Sequence, residues 1–197
     1  MGEDGGVTTV SVVGIGGSLR ADSQSERALR IVLAGAEEAG AKITVITGAD
    51  LVLPFYDPAV ADRPPLARNL VEEIRHADGV VLVSPGYHGT VSGLVKNAID
   101  HLEELRGGSR CYLDGIPIGC VATAYGWQAA VNTLGTLRVL AHSLRGWPTP
   151  LGIALNMAGP GVFAEDGSVL EPSVGDSVRI MADQLMSFGR IPAVAPS

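Results

Sequence analysis

At 197 residues, 46% hydrophobic and 18% charged, the chain reads as one compact domain with a sizeable core rather than a disordered segment. A formal net charge of −7, with no Lys/Arg run, argues against nucleic acid as a main partner. Its two cysteines, Cys111 and Cys120, have no metal-ligand spacing to a histidine pair and read as reduced thiols of a cytoplasmic protein.

The first element is Val10-Ser11-Val12-Val13, an apolar β-branched run of the kind that forms a strand buried on both faces. It breaks into Gly14-Ile15-Gly16-Gly17-Ser18-Leu19-Arg20 and a hydroxyl-rich segment carrying Ser23 and Ser25. Helical periodicity resumes at Glu26, with Ala28, Leu29, Val32, Leu33 and Ala36 as the apolar stripe. Lys42–Thr47 reads as a second strand, and Asp50–Pro65 as a proline-studded connection that cannot hold regular structure for long. Leu66–Ala77 has the pattern of an amphipathic helix. Gly79–Ser84, apolar almost throughout, is a third and central strand, followed by a loop, Pro85–Val91. A helix then runs through Leu94, Ala98, Ile99, Leu102 and Leu105 to a polar turn. Ile116–Thr123 is a fourth strand, Ala124–Gln128 a loop and Ala129–Leu144 a helix, with Arg145–Pro148 as its end. Leu151–Leu155 is a fifth strand and Ser173–Phe188 a closing helix. No apolar stretch is long enough to span a bilayer, and the acidic opening Met1–Gly6 does not read as a signal peptide. Residues 1–6 and 192–197 read as frayed ends of a single domain covering 1–197.

Alternating strands and helices without an internal repeat call for an open, parallel, doubly wound sheet. Ligands of such sheets sit outside the carboxyl ends of the strands. The first of those loops has the layout of a phosphate cradle, because glycines admit an anion to the backbone and the following helix offers free N–H groups. It is not a dinucleotide fingerprint, since Gly14-Ile15-Gly16-Gly17-Ser18-Leu19 ends on leucine, and no Gly-Lys-Ser/Thr triplet marks a P-loop. Ser18, Ser23 and Ser25 with Arg20 suit a terminal monophosphate. Taken alone, the same serines could be ordinary helix caps. With the aromatic, glycine-bearing loops after strands three and four, the cradle suggests a nucleotide with a flat ring system, FMN first among them.

Three stretches carry a family resemblance. Gly17-Ser18-Leu19-Arg20, continuing through Ser23 and Ser25 to Arg27 and Leu29, resembles the G-S-L-R-x-x-S-x-N-R-x-L signature of the NADPH-dependent FMN reductase family. Pro85-Gly86-Tyr87-His88 followed by Gly93–Asp100 resembles its P-E-Y-N…G-x-L-K-N-A-I-D segment, and Leu53-Pro54-Phe55-Tyr56-Asp57 its L-P-x-Y-D loop. The resemblance implies a flavodoxin-like, five-stranded α/β fold, bound FMN, NADPH oxidation, and a homodimer or homotetramer with interfaces bordering the flavin. Carried over by position, Ser18, Arg20, Ser23 and Ser25 hold the phosphate. Pro85, Gly86, Tyr87, His88 and Gly89, with Ala124, Tyr125 and Gly126 of the third loop, line the ring. Ser25 stands where asparagine is common, Gly86 and His88 replace glutamate and asparagine, and Trp127-Gln128 replaces small glycines. Lys96, Asn97 and Asp100 match the motif and read as anchors of the loop and of dimer contacts.

Chemistry of this kind belongs to the cofactor, so no catalytic triad and no obligatory protein acid or base is expected. His88 reads as a solvated loop histidine, with protonation of reduced flavin or a quinone as its sharper role. Added bulk at Gly86 or Gly126 is expected to block ring entry and leave the fold intact. The expected function is an NAD(P)H-dependent FMN reductase passing electrons to a partner monooxygenase, a quinone or another acceptor. The alternative is a flavin-binding redox carrier or sensor without significant NAD(P)H turnover.

Overall fold

The computed structural model describes residues 9–159, 161–164 and 166–189, so the expected frayed ends lie outside it. In chain order the elements are β1 (Ser11–Gly16), α1 (Gln24–Glu38), β2 (Lys42–Thr47), a 3-10 turn (Gly48–Leu51) and α2 (Pro65–Arg75). There follow β3 (Gly79–Tyr87), β4 (Thr90–Val91), α3 (Gly93–Asp100), a second 3-10 turn (His101–Leu105) and β5 (Pro117–Ala124). The chain closes with α4 (Trp127–Ser143), β6 (Trp147–Pro148), β7 (Ile153–Asn156) and α5 (Pro172–Gly189).

The sheet order is β2-β1-β3-β5, with β6 and β7 both lying beside β5. These pairings are parallel, and β4 runs antiparallel against Gly86–Tyr87 at the end of β3. The expected five-position parallel sheet is therefore present, with its last position shared by two short segments. Trp147–Pro148 belongs to that position instead of merely ending a helix.

Successive residues of a strand face opposite ways, and β3 shows what that does when both faces are covered. Val80 and Leu82 enter the core under α2, α3 and α4, where Leu70, Ile74, Leu102 and Leu137 are buried. Val81 and Val83 enter the other core, under α1 and α5, with Leu29, Leu33, Met181 and Leu185. Each such side chain contributes about 1.5–3 kcal/mol by leaving water, which is why this strand has no polar alternation.

Several boundaries move from the sequence expectation, each for a local reason. β1 continues through Gly14-Ile15-Gly16 because those glycines serve packing. A Cβ at Gly14 would come within 2.7 Å of Leu29 on α1, and one at Gly16 would collide with the carbonyl oxygen of Val83. α1 begins at Gln24, capped by Ser23, whose hydroxyl accepts from the Glu26 N–H at 3.2 Å. The helix through Leu94–Leu105 tightens into a 3-10 turn at His101, whose Nε2 donates to the Pro54 carbonyl at 3.0 Å. Pro85-Gly86-Tyr87 is strand rather than loop. Trp127 and Gln128 form the first turn of α4.

Candidate functional site

A cleft of about 210 Å³ opens at the carboxyl ends of the central strands. One wall is the segment after β1, contributing Ser18, Arg20, Asp22, Ser23, Gln24 and Ser25. The other is built by sheet register: Pro85 pairs with Thr123 and Ala124 with Asn156, so the ends of β3, β5 and β7 lie side by side. Pro85, Gly86 and Tyr87 line it, with Thr123, Ala124, Tyr125 and Met157. The Met157 N–H donates to the Ala124 carbonyl at 2.8 Å, holding the chain after β7 against β5.

The polar wall is made of donors with little else to bond. Gly17 sits at φ 98°, where a Cβ would collide with the Thr47 hydroxyl, so only glycine turns the chain here. Ser18 Oγ accepts from the Arg20 N–H at 3.3 Å, and the Ser23 and Ser25 hydroxyls lie 3.2 Å apart. Beyond them the first N–H groups of α1 have no intrahelical acceptor. Arg20 is exposed, and its guanidinium enters no salt bridge among the described residues. Arg27 is committed elsewhere, donating to the Ala164 carbonyl at 2.8 Å, and Arg30 binds Glu26 at 2.7 Å. Hydroxyls, one free guanidinium and a helix N-terminus are together the donor set that an anion site requires.

The other wall is aromatic and glycine-bearing. Tyr87 is 55% exposed and Tyr125 78%, so both keep large ring surfaces free at the mouth of the cleft. Gly86 is held tightly: a Cβ there would lie 2.6 Å from Thr133 Oγ1, 3.1 Å from Ala124 Cβ and 3.2 Å from the Ala129 carbonyl. Its missing side chain lets α4 pack on the end of β3, and Thr133 is fully buried against it. Bulk at Gly86 would strike the helix before reaching the cleft, which corrects the expectation of an intact fold. At Gly126 there is space, but φ is 136°, so a side chain is strained there for backbone reasons.

The structure brings Ser18, Arg20, Ser23, Ser25, Pro85, Gly86, Tyr87, Ala124 and Tyr125 to this one cleft. It does not place His88, Gly89 or Gly126 on the wall. His88 (φ 52°) and Gly89 (φ 81°) form a two-residue turn between β3 and β4, with His88 exposed at its tip. Asp22, Gln24, Thr123 and Met157 were not singled out from sequence. Asp22 and Gln24 lie inside the motif already identified, whereas Thr123 and Met157 arrive only through strand register. The wall contains no histidine, cysteine or lysine. Burial pushes the Cys120 thiol up to about 12, so it stays protonated at neutral pH and packs as a small apolar group. Among the described residues no cluster of His, Cys, Asp or Glu could hold a metal ion, and no helix is long and apolar enough to cross a membrane.

Comparison with known proteins fits this geometry. The model of the NADPH-dependent FMN reductase family matches residues 10–159. The chain belongs to that family. Its FMN and NADPH chemistry is therefore the frame for the cleft. An FMN-dependent NADPH-azoreductase of Staphylococcus aureus is 33% identical over 138 residues, 66% of this chain and 66% of the relative, just under two thirds of its length. A flavoenzyme NAD(P)H:(acceptor) oxidoreductase from Paracoccus denitrificans superposes with a TM-score of 0.74 at 25% identity, covering 91% of this chain and 98% of that one. A flavodoxin from Streptococcus pneumoniae, 12% identical with a TM-score of 0.59 over 91% of this chain and 99% of its own, shares the fold. The fold of this family member is thus flavodoxin-like.

Proposed function

We propose that the protein is an NAD(P)H-dependent FMN reductase whose flavin phosphate sits in the Ser18–Ser25 cradle and whose ring lies between Pro85–Tyr87 and Ala124–Tyr125. The observation that carries this reading is the polarity of one cleft: unspent anion donors at one end, free aromatic faces at the other. Bound FMN would supply hydride acceptance from NADPH and delivery of electrons onward. Ser18, Ser23 and Ser25 present hydroxyls to the phosphate, and Arg20 supplies charge. Gly126 gives α4 no side-chain cap, so first-turn N–H groups and the positive end of the helix dipole remain beside the end of β5, where they favour negative charge. The chain's part in this chemistry is to bind and orient the cofactor. The exposed Tyr87 and Tyr125 rings suit a flat conjugated acceptor, a quinone or azo compound, and a released reduced flavin passed to a partner monooxygenase is the other route.

The test is a visible spectrum of protein with FMN, followed by anaerobic NADPH. Prompt bleaching of the flavin band is expected. A bound flavin that stays oxidised would make the protein a carrier or sensor, and failure to bind FMN would remove the placement.

The same reading includes a homodimer. On α4, Trp127, Val131 and Val139 are 62%, 55% and 63% exposed, and with Gly135 they fall at four-residue intervals along the helix, starting two residues after Tyr125 of the cleft wall. A helix apolar on its outer face as well as its inner one is built to be covered. Sedimentation should show a dimer for the native chain and a monomer for Val131→Asp. A dimer that survives this charge would place the interface elsewhere.

A further inference from the structure

We infer that Asp22 loosens the hold on the flavin phosphate, setting FMN affinity below what the same cradle would give without that carboxylate. The inference rests on the phosphate placement proposed above.

Asp22 lies on the cleft wall among Ser18, Arg20, Ser23 and Ser25 and directly precedes the N-cap of α1. Its φ of 51° is left-handed, a conformation that aspartate, asparagine and glycine accept more readily than other residues. Its carboxylate is exposed and takes part in no salt bridge among the described residues. A phosphate monoester carries nearly two negative charges at pH 7. Against that, Arg20 is the one cation among the described residues lining the cleft, while Arg27 donates to the Ala164 carbonyl and Arg30 pairs with Glu26. Arg20 and Asp22 put one charge of each sign on the same wall, so hydroxyls, N–H groups and the helix dipole face the anion with no net side-chain charge beside them. A carboxylate near a phosphate in a solvent-filled cleft weakens binding by about three- to tenfold, and salt erodes the effect because the groups are exposed.

The experiment compares dissociation constants of FMN and of riboflavin, which lacks the phosphate, for the native protein, Asp22→Asn, Asp22→Gly and Arg20→Ala. Both replacements at Asp22 accept the left-handed backbone and remove the charge, so either serves if the other folds poorly. The expected result is FMN binding tightened about three- to tenfold in both, with riboflavin unchanged and the gain shrinking as salt rises. If Arg20→Ala weakens FMN but not riboflavin while neither Asp22 variant alters FMN binding, the phosphate placement stands and the role of Asp22 is overturned. If Arg20→Ala also leaves the preference for FMN over riboflavin unchanged, the placement itself falls and the inference with it.

Discussion

Two segments leave the same rim of the sheet, one after β1 and one after β2, and they are bonded in opposite ways. The second is spent on the protein itself. Asn97 on α3 donates from Nδ2 to the carbonyls of Leu53 and Pro54, both at 3.1 Å, and its Oδ1 accepts from the Tyr56 N–H at 3.1 Å. Arg63 is buried, donates twice to Glu104 Oε1 at 3.1 and 2.7 Å and once to the Asp57 carbonyl at 2.7 Å, and lies 4.5 Å over the Tyr56 ring. A proline-studded, largely exposed stretch without regular structure is thus tied to α3 and the second 3-10 turn through several of its backbone groups. The Ser18–Ser25 segment bonds only within a few residues of itself and leaves a guanidinium without a carboxylate partner. A loop whose donors are spent is architecture, and one whose donors remain is prepared for something that arrives later.

That contrast can be broken by mutation. Asn97→Ala should have the largest effect, because it strips the side-chain partner from the Tyr56 N–H and the Leu53 carbonyl and one of two from the Pro54 carbonyl, which keeps His101 Nε2. A loss of about 3 kcal/mol in urea unfolding is expected. An unchanged midpoint would mean the Leu53–Tyr56 segment does not depend on this amide. Arg20→Ala should do the reverse, moving the thermal midpoint by less than about 1 °C and lowering FMN affinity about tenfold. A clear drop in the midpoint would show that Arg20 already serves the fold, and the distinction between the segments would be lost.

The Ser18–Ser25 segment was legible in sequence because all its parts are local: a strand end, a glycine turn, short hydroxyl side chains and a helix start lie within about a dozen residues, close enough for spacing to decide. The opposite wall was only partly legible. Pro85, Gly86 and Tyr87 carried a motif, but that they extend β3 follows from the pairing of Pro85 with Thr123 and from the return of Thr90–Val91 beside Gly86 and Tyr87. The same return puts His88 at an exposed turn between β3 and β4, off the cleft wall that its motif neighbours line. Thr123 and Met157 carry no local sign, since their place follows from the pairing of β5 with β3 and β7. The tightness at Gly86 was hidden for a related reason, because the atom it would strike, Thr133 Oγ1, lies far along the chain on α4.

The divided fifth position of the sheet has a consequence beyond the cleft. An outer strand exposes a row of unpaired N–H and C=O groups, an invitation for another chain to add itself. Here the row is interrupted. β6 contains Pro148, which has no N–H to give, and Pro150 follows. Between β6 and β7, Thr149 turns its hydroxyl to the Leu151 carbonyl at 2.8 Å, and the Leu151 N–H donates to Gln184 Oε1 on α5 at 3.0 Å. The break therefore works as a guard against fibril-like stacking along this margin, leaving a foreign strand no continuous ladder to extend.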